Sequence, residues 1–166
     1  CVVFVSYNPG VLTADTWYRR TFTANLNGES CSEFTNVVKV TVINFDEGSI
    51  TGEQTICEGD TPAALGSVNA TGDGIITCQW QESTDGFTFT DIAAGGTNAT
   101  YAPGALTQDT WYKRVVTASD GGTDCVAETN TIKITVNNVT GGTIGTDRTV
   151  CYDTDAPGLI SVAGAN

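Results

Sequence analysis

Apolar and polar residues alternate one by one along several short stretches of the chain. In "NTIKITVNN", Ile132, Ile134 and Val136 fall on one face of an extended strand, while Lys133 and Thr135 fall on the other. Successive side chains of a β-strand point to opposite faces of a sheet, so this pattern predicts a half-buried strand. No stretch shows the period of an amphipathic helix. The pattern therefore predicts an all-β protein.

The chain also repeats itself at a fixed interval. The phrase "LTADTWYRR" at 12–20 returns as "LTQDTWYKR" at 106–114. Residues 7–65 align with residues 101–159 without a gap, and 25 of these 59 positions are identical. A constant period of 94 residues predicts a tandem repeat.

This period divides the chain into three parts. We expect the C-terminal part of one repeat at 1–45, a complete repeat at 46–139 and the N-terminal part of the next repeat at 140–166. Since the chain starts late in one unit and stops early in another, we expect it to be a piece of a longer polypeptide.

A second alternating stretch, "IITCQWQES", ends at a strong turn signal. Ile76, Cys78 and Trp80 share one face, and the turn "STDG" precedes another short stretch, "FTFTDI". Asp and Gly are frequent in turns because they adopt backbone conformations that other residues avoid. Short strands divided by such turns, about seven in each unit, predict an antiparallel β-sandwich.

The repeated phrase resembles the corner before the F strand of immunoglobulin-like and fibronectin type III domains. In that corner a Leu is followed by a Thr four residues later and a Tyr six residues later, here Leu106, Thr110 and Tyr112. The resemblance implies that the tyrosine ring fills the edge of the core while its hydroxyl group bonds to nearby backbone. Together with Trp80, these residues are expected to form the structural core.

Arg114 does not fit a simple alternation. Counting from Tyr112, it points inward with Val116. Either the Arg114 side chain reaches past the edge of the core to a carboxylate, or a bulge shifts the strand by one residue.

Cysteines also recur with the repeat, since Cys31 matches Cys125 and Cys57 matches Cys151. We expect a disulfide between Cys57 and Cys125, because a sandwich of this topology would bring both to the same pole; closing that loop is worth roughly 4 kcal/mol. The alternative scheme joins Cys31 to Cys57 and Cys125 to Cys151. A matched pair of cysteines in each unit indicates an oxidising, extracellular setting.

The charge of the chain argues against two kinds of partner. Seven basic and nineteen acidic residues give a net charge of −12. This surface would repel a phosphate backbone, so we expect no nucleic-acid partner. No apolar run approaches the ~18 residues of a membrane helix, so we expect no membrane insertion by this segment.

The sequence offers little for catalysis. It contains no histidine, which removes the usual general base, and we expect no catalytic residues and no enzyme activity. Calcium binding is one interpretation of the hard oxygen ligands that occur in several turns, and the alternative is that turn chemistry explains the same residues. The candidate calcium ligands are Asp73, Asp85, Asp120 and Asp124.

Tyr101 and Trp111 are candidate ligand-facing aromatic residues. Together they would form a flat platform of the kind that sugar-binding modules use. The alternative is that both rings pack in the core or between sheets.

Several motifs together resemble a known group of repeats. "TICEGDTPAAL", "ATGDG", "CQWQESTDGFTFTDI" and "TNTIKITVNN" occur here in one order. They are similar to the immunoglobulin-like tandem repeats of very large secreted cell-surface proteins in gliding Bacteroidota, the SprB-like gliding adhesins among them. The resemblance implies export by the type IX route and a stalk or filament at the cell surface, with a role in adhesion or gliding motility.

In such a stalk the units follow one another through short linkers such as "INFDEGSITG". The partners implied are neighbouring repeats of the same chain, with surface polysaccharide or other cell-surface proteins as further candidates. Two alternatives stay open. The units could be spacer or carbohydrate-binding modules of a secreted hydrolase, or modules of a lattice that calcium rigidifies.

Overall fold

A computed structural model describes residues 6–145, 147–154 and 158. These residues form fourteen strands and no helix, so they contain no helix able to span a membrane. The all-β prediction is confirmed. The strands are β1 (Thr16–Tyr18), β2 (Thr21–Leu26), β3 (Glu29–Phe34), β4 (Val38–Val40), β5 (Phe45–Asp46), β6 (Ser49–Thr51), β7 (Gln54–Cys57), β8 (Gly66–Val68), β9 (Thr71–Gly72), β10 (Ile75–Ser83), β11 (Thr90–Asp91), β12 (Thr110–Asp120), β13 (Thr123–Glu128) and β14 (Ile132–Asn137).

Residues 46–139, here called the central segment, contain the main sheet. Its strands lie in the order β11-β10-β12-β14-β7, and β13 also pairs with β12. All these pairs are antiparallel except β14 with β7, which is parallel. β14 lies beside the start of β12 and β13 beside its end, so the two follow each other along one edge of the same strand.

A smaller layer covers one face of this sheet. β6 pairs with β8, and Leu65 pairs with Tyr101. The side chain of Asn130 ties β6 to the segment between β13 and β14: its Oδ1 accepts from the Ile50 N–H at 2.8 Å, and its Nδ2 donates to the Ile50 carbonyl at 3.0 Å. This layered arrangement of open sheets is consistent with the predicted β-sandwich.

The core lies between the two layers, and the alternation of β12 sets its composition. Buried and half-buried residues alternate along β12 from Thr110 to Ser119. Trp80 and Tyr112 are fully buried, and Trp80 donates its indole N–H to the Asn98 carbonyl at 2.9 Å. The apolar core cluster consists of Ile50, Leu65, Trp80, Ile92, Tyr112, Ile132 and Ile134.

Tyr112 does not make the hydrogen bond that the corner resemblance implies. Its ring packs 5.8 Å from the ring of Tyr101, but its buried hydroxyl has no hydrogen-bond partner. Burial, and then the charge of Glu82, raises the pKa of Tyr112 far above its usual value. Leu106 packs against the core, and the buried Thr110 donates its hydroxyl to the Gln108 carbonyl at 3.1 Å.

Arg114 points inward without a bulge. It lies opposite Trp80 in an uninterrupted pairing of β10 with β12, and only 3% of it is exposed. Its guanidinium carbon lies 5.5 Å from the centre of the Trp80 ring, a cation–π contact. No carboxylate of the described residues forms an ion pair with Arg114, and its Nε and Nη1 atoms have no partner. The strand is therefore regular, and an aromatic ring takes the place of the expected carboxylate.

Residues 6–45, the described part of what we call the leading segment, make several of the same local contacts as their counterparts 94 residues later. β1 pairs with β4 as β12 pairs with β14. Asp15 bonds Lys39, and Asp109 bonds Lys133, both at 2.6 Å. Asp109 also accepts the Val136 N–H at 2.8 Å, and Asp15 accepts the Val42 N–H at the same distance. Where the residues are identical, as at Asp15, Lys39 and Val42, the local geometry is the same in both segments.

We predict that Tyr112→Phe leaves the free energy of unfolding unchanged or raises it. A buried hydroxyl without a partner costs about 1–3 kcal/mol, and this substitution removes it without changing the ring. Urea unfolding checks the prediction, with Tyr18→Phe in the leading segment as the matched control. A loss of more than about 1 kcal/mol in Tyr112→Phe alone would show that the hydroxyl is hydrogen-bonded after all.

We predict that Asp109 contributes to stability in a pH-dependent way. The bond from Lys133, and then the Val136 N–H, hold the pKa of Asp109 below its usual value. A carboxyl group with a depressed folded-state pKa stabilises the fold above its unfolded pKa of about 3.9, and this contribution is lost as pH falls through the folded-state value.

Thermal unfolding between about pH 5 and pH 2 measures this effect. The Tm of the unsubstituted chain should fall more steeply with acid than that of Asp109→Asn. Glu53→Gln, at an exposed position, should retain the steep slope. Parallel curves for the unsubstituted chain and Asp109→Asn would contradict the prediction.

Candidate functional site at the junction of the leading and central segments

The junction between the leading and central segments is held by backbone pairing. β5 (Phe45–Asp46) pairs antiparallel with β9 (Thr71–Gly72). The Asp73 N–H donates to the Asn44 carbonyl at 2.8 Å, and the Asn44 N–H donates to Asp73 Oδ2 at 3.2 Å. The chain therefore crosses from one segment to the other as part of a small sheet and not as a free linker.

Two glycines allow this close approach. Gly72 has a φ of +141°, and a Cβ atom there would collide with the backbone of Phe45. Gly74 has a φ of +78°, and a Cβ atom there would lie 2.5 Å from the Ser119 carbonyl oxygen. Both conformations and both contacts exclude a side chain, so glycine is required at each position.

The hairpin that joins β12 to β13 lies against the leading segment. A cavity of about 470 Å³ separates the two, with Thr41, Val42 and Ile43 on one side and Asp120, Thr123 and Cys125 among the residues on the other. The leading segment thus meets the central segment at the end of the sheet where β12 finishes. We call this the leading end.

A second cavity, of about 390 Å³, brings three acidic residues of the leading end together. Asp15, Asp73 and Asp120 line it. The bond from Lys39, followed by the Val42 N–H, holds the pKa of Asp15 below its usual value. Asp73 accepts the Asn44 N–H. Two of the three carboxylates therefore already have protein partners.

The opposite end of the central segment contains the turn around Asp85. A cavity of about 440 Å³ lies between this turn and the residues before β12. Asp85 Oδ1 accepts the Phe87 and Thr88 N–H groups and the Ser83 hydroxyl, each at 2.7 Å. The bonds from Thr88, Phe87 and then Ser83 hold the pKa of Asp85 far below its usual value. This carboxylate shapes the turn.

The four predicted calcium ligands do not converge. Asp85 lies in the turn after β10, whereas Asp73 precedes β10 at its other end. Asp120 and Asp124 flank the hairpin at the leading end, where Asp124 accepts the Ser119 hydroxyl at 2.7 Å. Within the part of the chain that the structure describes, no group of three or more Cys, Asp or Glu side chains is placed to hold a metal ion.

The two candidate ligand-facing aromatic residues do not form a common platform. The Tyr101 ring packs against the core, 6.1 Å from the ring of Trp80. Trp111 precedes the inward-facing Tyr112 in β12 and therefore faces the other side of the sheet. There it is half-buried, with Lys133 Nζ 4.8 Å from the centre of its ring.

The predicted disulfide between Cys57 and Cys125 is not formed, and the expectation that both lie at one pole is wrong. Cys57 pairs with Asn137, beyond the start of β12, whereas Cys125 pairs with Ala118 near its end. The strand from Thr110 to Ala118 alone spans about 26 Å, and a disulfide needs Cα atoms within about 7 Å. The cause is the parallel pairing of β7 with β14, which carries Cys57 away from the leading end.

All five described cysteines have free thiols, so the alternative scheme is not formed either. They are Cys31, Cys57, Cys78, Cys125 and Cys151. Cys78 faces the core opposite Val116. Cys1 and part of the predicted third unit, at 146, 155–157 and 159–166, lie outside the described residues.

Sequence reasoning missed the junction because it treated "INFDEGSITG" as a linker. The structure pairs Phe45–Asp46 and Ser49–Thr51 with strands of the central segment. The available signal was the presence of glycines in these stretches, because glycine tolerates positive φ and close contact with another backbone. Gly48, Gly72 and Gly74 all have positive φ, and a Cβ atom at any of them would collide with backbone of the facing chain.

Comparison with known proteins places the central segment in a family. A family model described as "Domain of unknown function (DUF8696)" matches residues 46–138, more than half of the chain. No curated protein and no solved structure gave a match. The chain therefore belongs to the family described as a domain of unknown function, DUF8696.

Proposed function

We propose that this chain is a structural segment of a stalk or filament in a large, repetitive cell-surface adhesin, built from immunoglobulin-like units of 94 residues. One observation carries the proposal: the chain enters and leaves the central segment at opposite ends of its main sheet. Units joined in this way follow one another in a line.

The path of the chain gives this geometry. The leading segment arrives at Phe45, which pairs with Gly72 directly before β10 begins. β10 runs from that end toward the start of β12. The chain then leaves along β14, whose last residue, Asn137, lies beyond the pairing of Ile134 with Thr110. The long strands of the sheet separate the two points.

The paired junction supports a stiff array. A flexible linker lets neighbouring units reorient freely, whereas antiparallel pairing with hydrogen bonds in both directions restricts bending. Asn44 and Asp73 make two such bonds in addition to the β5–β9 pair. Repeats that contact only their neighbours in this way supply reach without an active site.

The leading segment supports the interpretation as tandem units. Tyr18 and Val38 border an open cavity of about 620 Å³, whereas their counterparts Tyr112 and Ile132 are buried. The layer that covers Tyr112 includes β6 and β8, which precede it in the central segment, and residues 6–45 contain no counterpart of these two strands. The net charge of −12 suits a crowded surface protein that has to stay soluble.

The sequence resemblance supplies the biological setting of the proposal. It implies secretion by the type IX route, an extracellular location and a role in adhesion or gliding motility. Neighbouring repeats are the partners that the junction geometry supports, and no enzyme activity is part of the proposal.

A second candidate function is a carbohydrate-binding module of a secreted hydrolase. It is favoured by Phe87, which is 90% exposed in the turn where Gly86 lies against Trp111. Polysaccharide binding that Phe87→Ala abolishes would favour this function over a stalk.

We predict that adding one unit lengthens the molecule. In the test chain a second copy of residues 46–139 follows residue 139 directly, before residues 140–166. Small-angle X-ray scattering should show that the maximum dimension grows by at least about 36 Å, the length of the eleven residues of β12 at ~3.3 Å each. An unchanged maximum dimension with a larger cross-section would mean that the units pack side by side.

Two glycine variants of the test chain control for junction stiffness. Gly72→Ala in both copies should break the junction pairing, because the added Cβ collides with Phe45. The scattering curve should then be that of two units joined by a flexible linker. Gly104→Ala should change nothing, since no atom lies within 4 Å of its Cβ position. Circular dichroism has to show intact strands in both variants. Equal stiffness in all three chains would contradict the role of the junction.

A further inference from the structure

We propose that consecutive units are joined by a disulfide between the early cysteine of one unit, at the position of Cys57, and the late cysteine of the next, at the position of Cys125. The inference rests on the proposed tandem array. It differs from both pairings expected from sequence, neither of which is formed in the structure.

The early cysteine lies where the chain leaves the unit. Cys57 ends β7 and pairs with Asn137, the last residue of β14. Its neighbour Ile56 packs against the core, so the Cys57 side chain points to the opposite face of the sheet. Cys57 is exposed, and its thiol is free to meet whatever follows residue 139.

The late cysteine lies where the preceding unit arrives. Cys125 lines the cavity of about 470 Å³ at the leading end, across from Thr41, Val42 and Ile43. It is half-buried there, whereas its counterpart Cys31 in the leading segment is exposed. The arrival of the preceding chain thus accompanies partial burial of this thiol.

The repeat connects these two observations. Ile43 is the counterpart, 94 residues earlier, of Asn137, the strand partner of Cys57. In a complete preceding unit, the early cysteine would therefore pair with Ile43, about 4.8 Å away in the sheet. Since Ile43 lines the cavity of Cys125, the early cysteine of one unit and the late cysteine of the next meet at the junction.

The chain contains only one member of each such pair, which agrees with its free thiols. Residues 1–166 contain a single complete unit, so neither Cys57 nor Cys125 has its inter-unit partner among them. Only a chain with two consecutive complete units can close the bond.

The oxidant is a small-molecule disulfide, for which oxidised glutathione is the probe. One cysteine thiolate attacks it and forms a mixed disulfide, releasing one glutathione. The second cysteine thiolate attacks the protein sulfur of that mixed disulfide and releases the second glutathione. Two protein thiols lose two electrons and two protons, and one glutathione disulfide gains them. The product links two units covalently beside the β5–β9 pair, so that tension along the stalk also loads a covalent bond.

The test uses the chain with a second copy of residues 46–139, oxidised with glutathione disulfide and mapped by mass spectrometry of non-reduced peptides. We expect Cys57 of the first copy joined to Cys125 of the second. Cys125 of the first copy and Cys57 of the second should stay free. Free thiols at both junction positions, or a bond within one copy, would overturn the proposal.

Matched variants identify the pair. Cys57→Ser in the first copy alone should abolish the crosslink, and Cys57→Ser in the second copy alone should leave it intact. In the original 166-residue chain, Ile43→Cys should crosslink to Cys125, whereas Val37→Cys should not.

Scattering from the reduced two-copy chain separates this inference from the proposed function. If the reduced chain is extended but its cysteines stay free after treatment with oxidised glutathione, the proposed disulfide is overturned and the proposed stalk is retained. A compact molecule overturns both.

Discussion

The structure depends on the pairing of one long strand with its neighbours. β12 runs for eleven residues, pairs with β10 on one side and with β13 and β14 on the other, and supplies the buried Tyr112 to the core. Its alternation decides which residues face the small covering layer. Its length also separates the two ends of the central segment. β12 therefore determines both the composition of the core and the linear path of the chain.

That strand explains why sequence reasoning reached the fold but not the junction. Period-two patterns at Ile132–Val136 and Ile76–Trp80 report burial on one face, so the all-β class and the core could be predicted. Pairing between distant segments leaves no such local pattern. The parallel alignment of β7 with β14 was therefore missed, and with it the position of Cys57.

The difference between local patterns and long-range pairing also applies to side chains whose contacts lie far along the chain. The corner phrase located Tyr112 in the core, but the lack of a partner for its hydroxyl depends on segments far along the chain. Alternation pointed Arg114 inward, yet its contact with Trp80 follows from the pairing of β10 with β12. A sequence motif therefore predicts which residues are buried, but it does not predict which residues they contact when those lie far along the chain.

The junction belongs to the folded unit and is not a loose linker. Amide hydrogen exchange at Asp73 measures this, because its N–H donates across the junction to Asn44. We expect the Asp73 amide to exchange as slowly as the Val116 amide in β12. Exchange at the rate of an exposed loop, with β12 still protected, would contradict it.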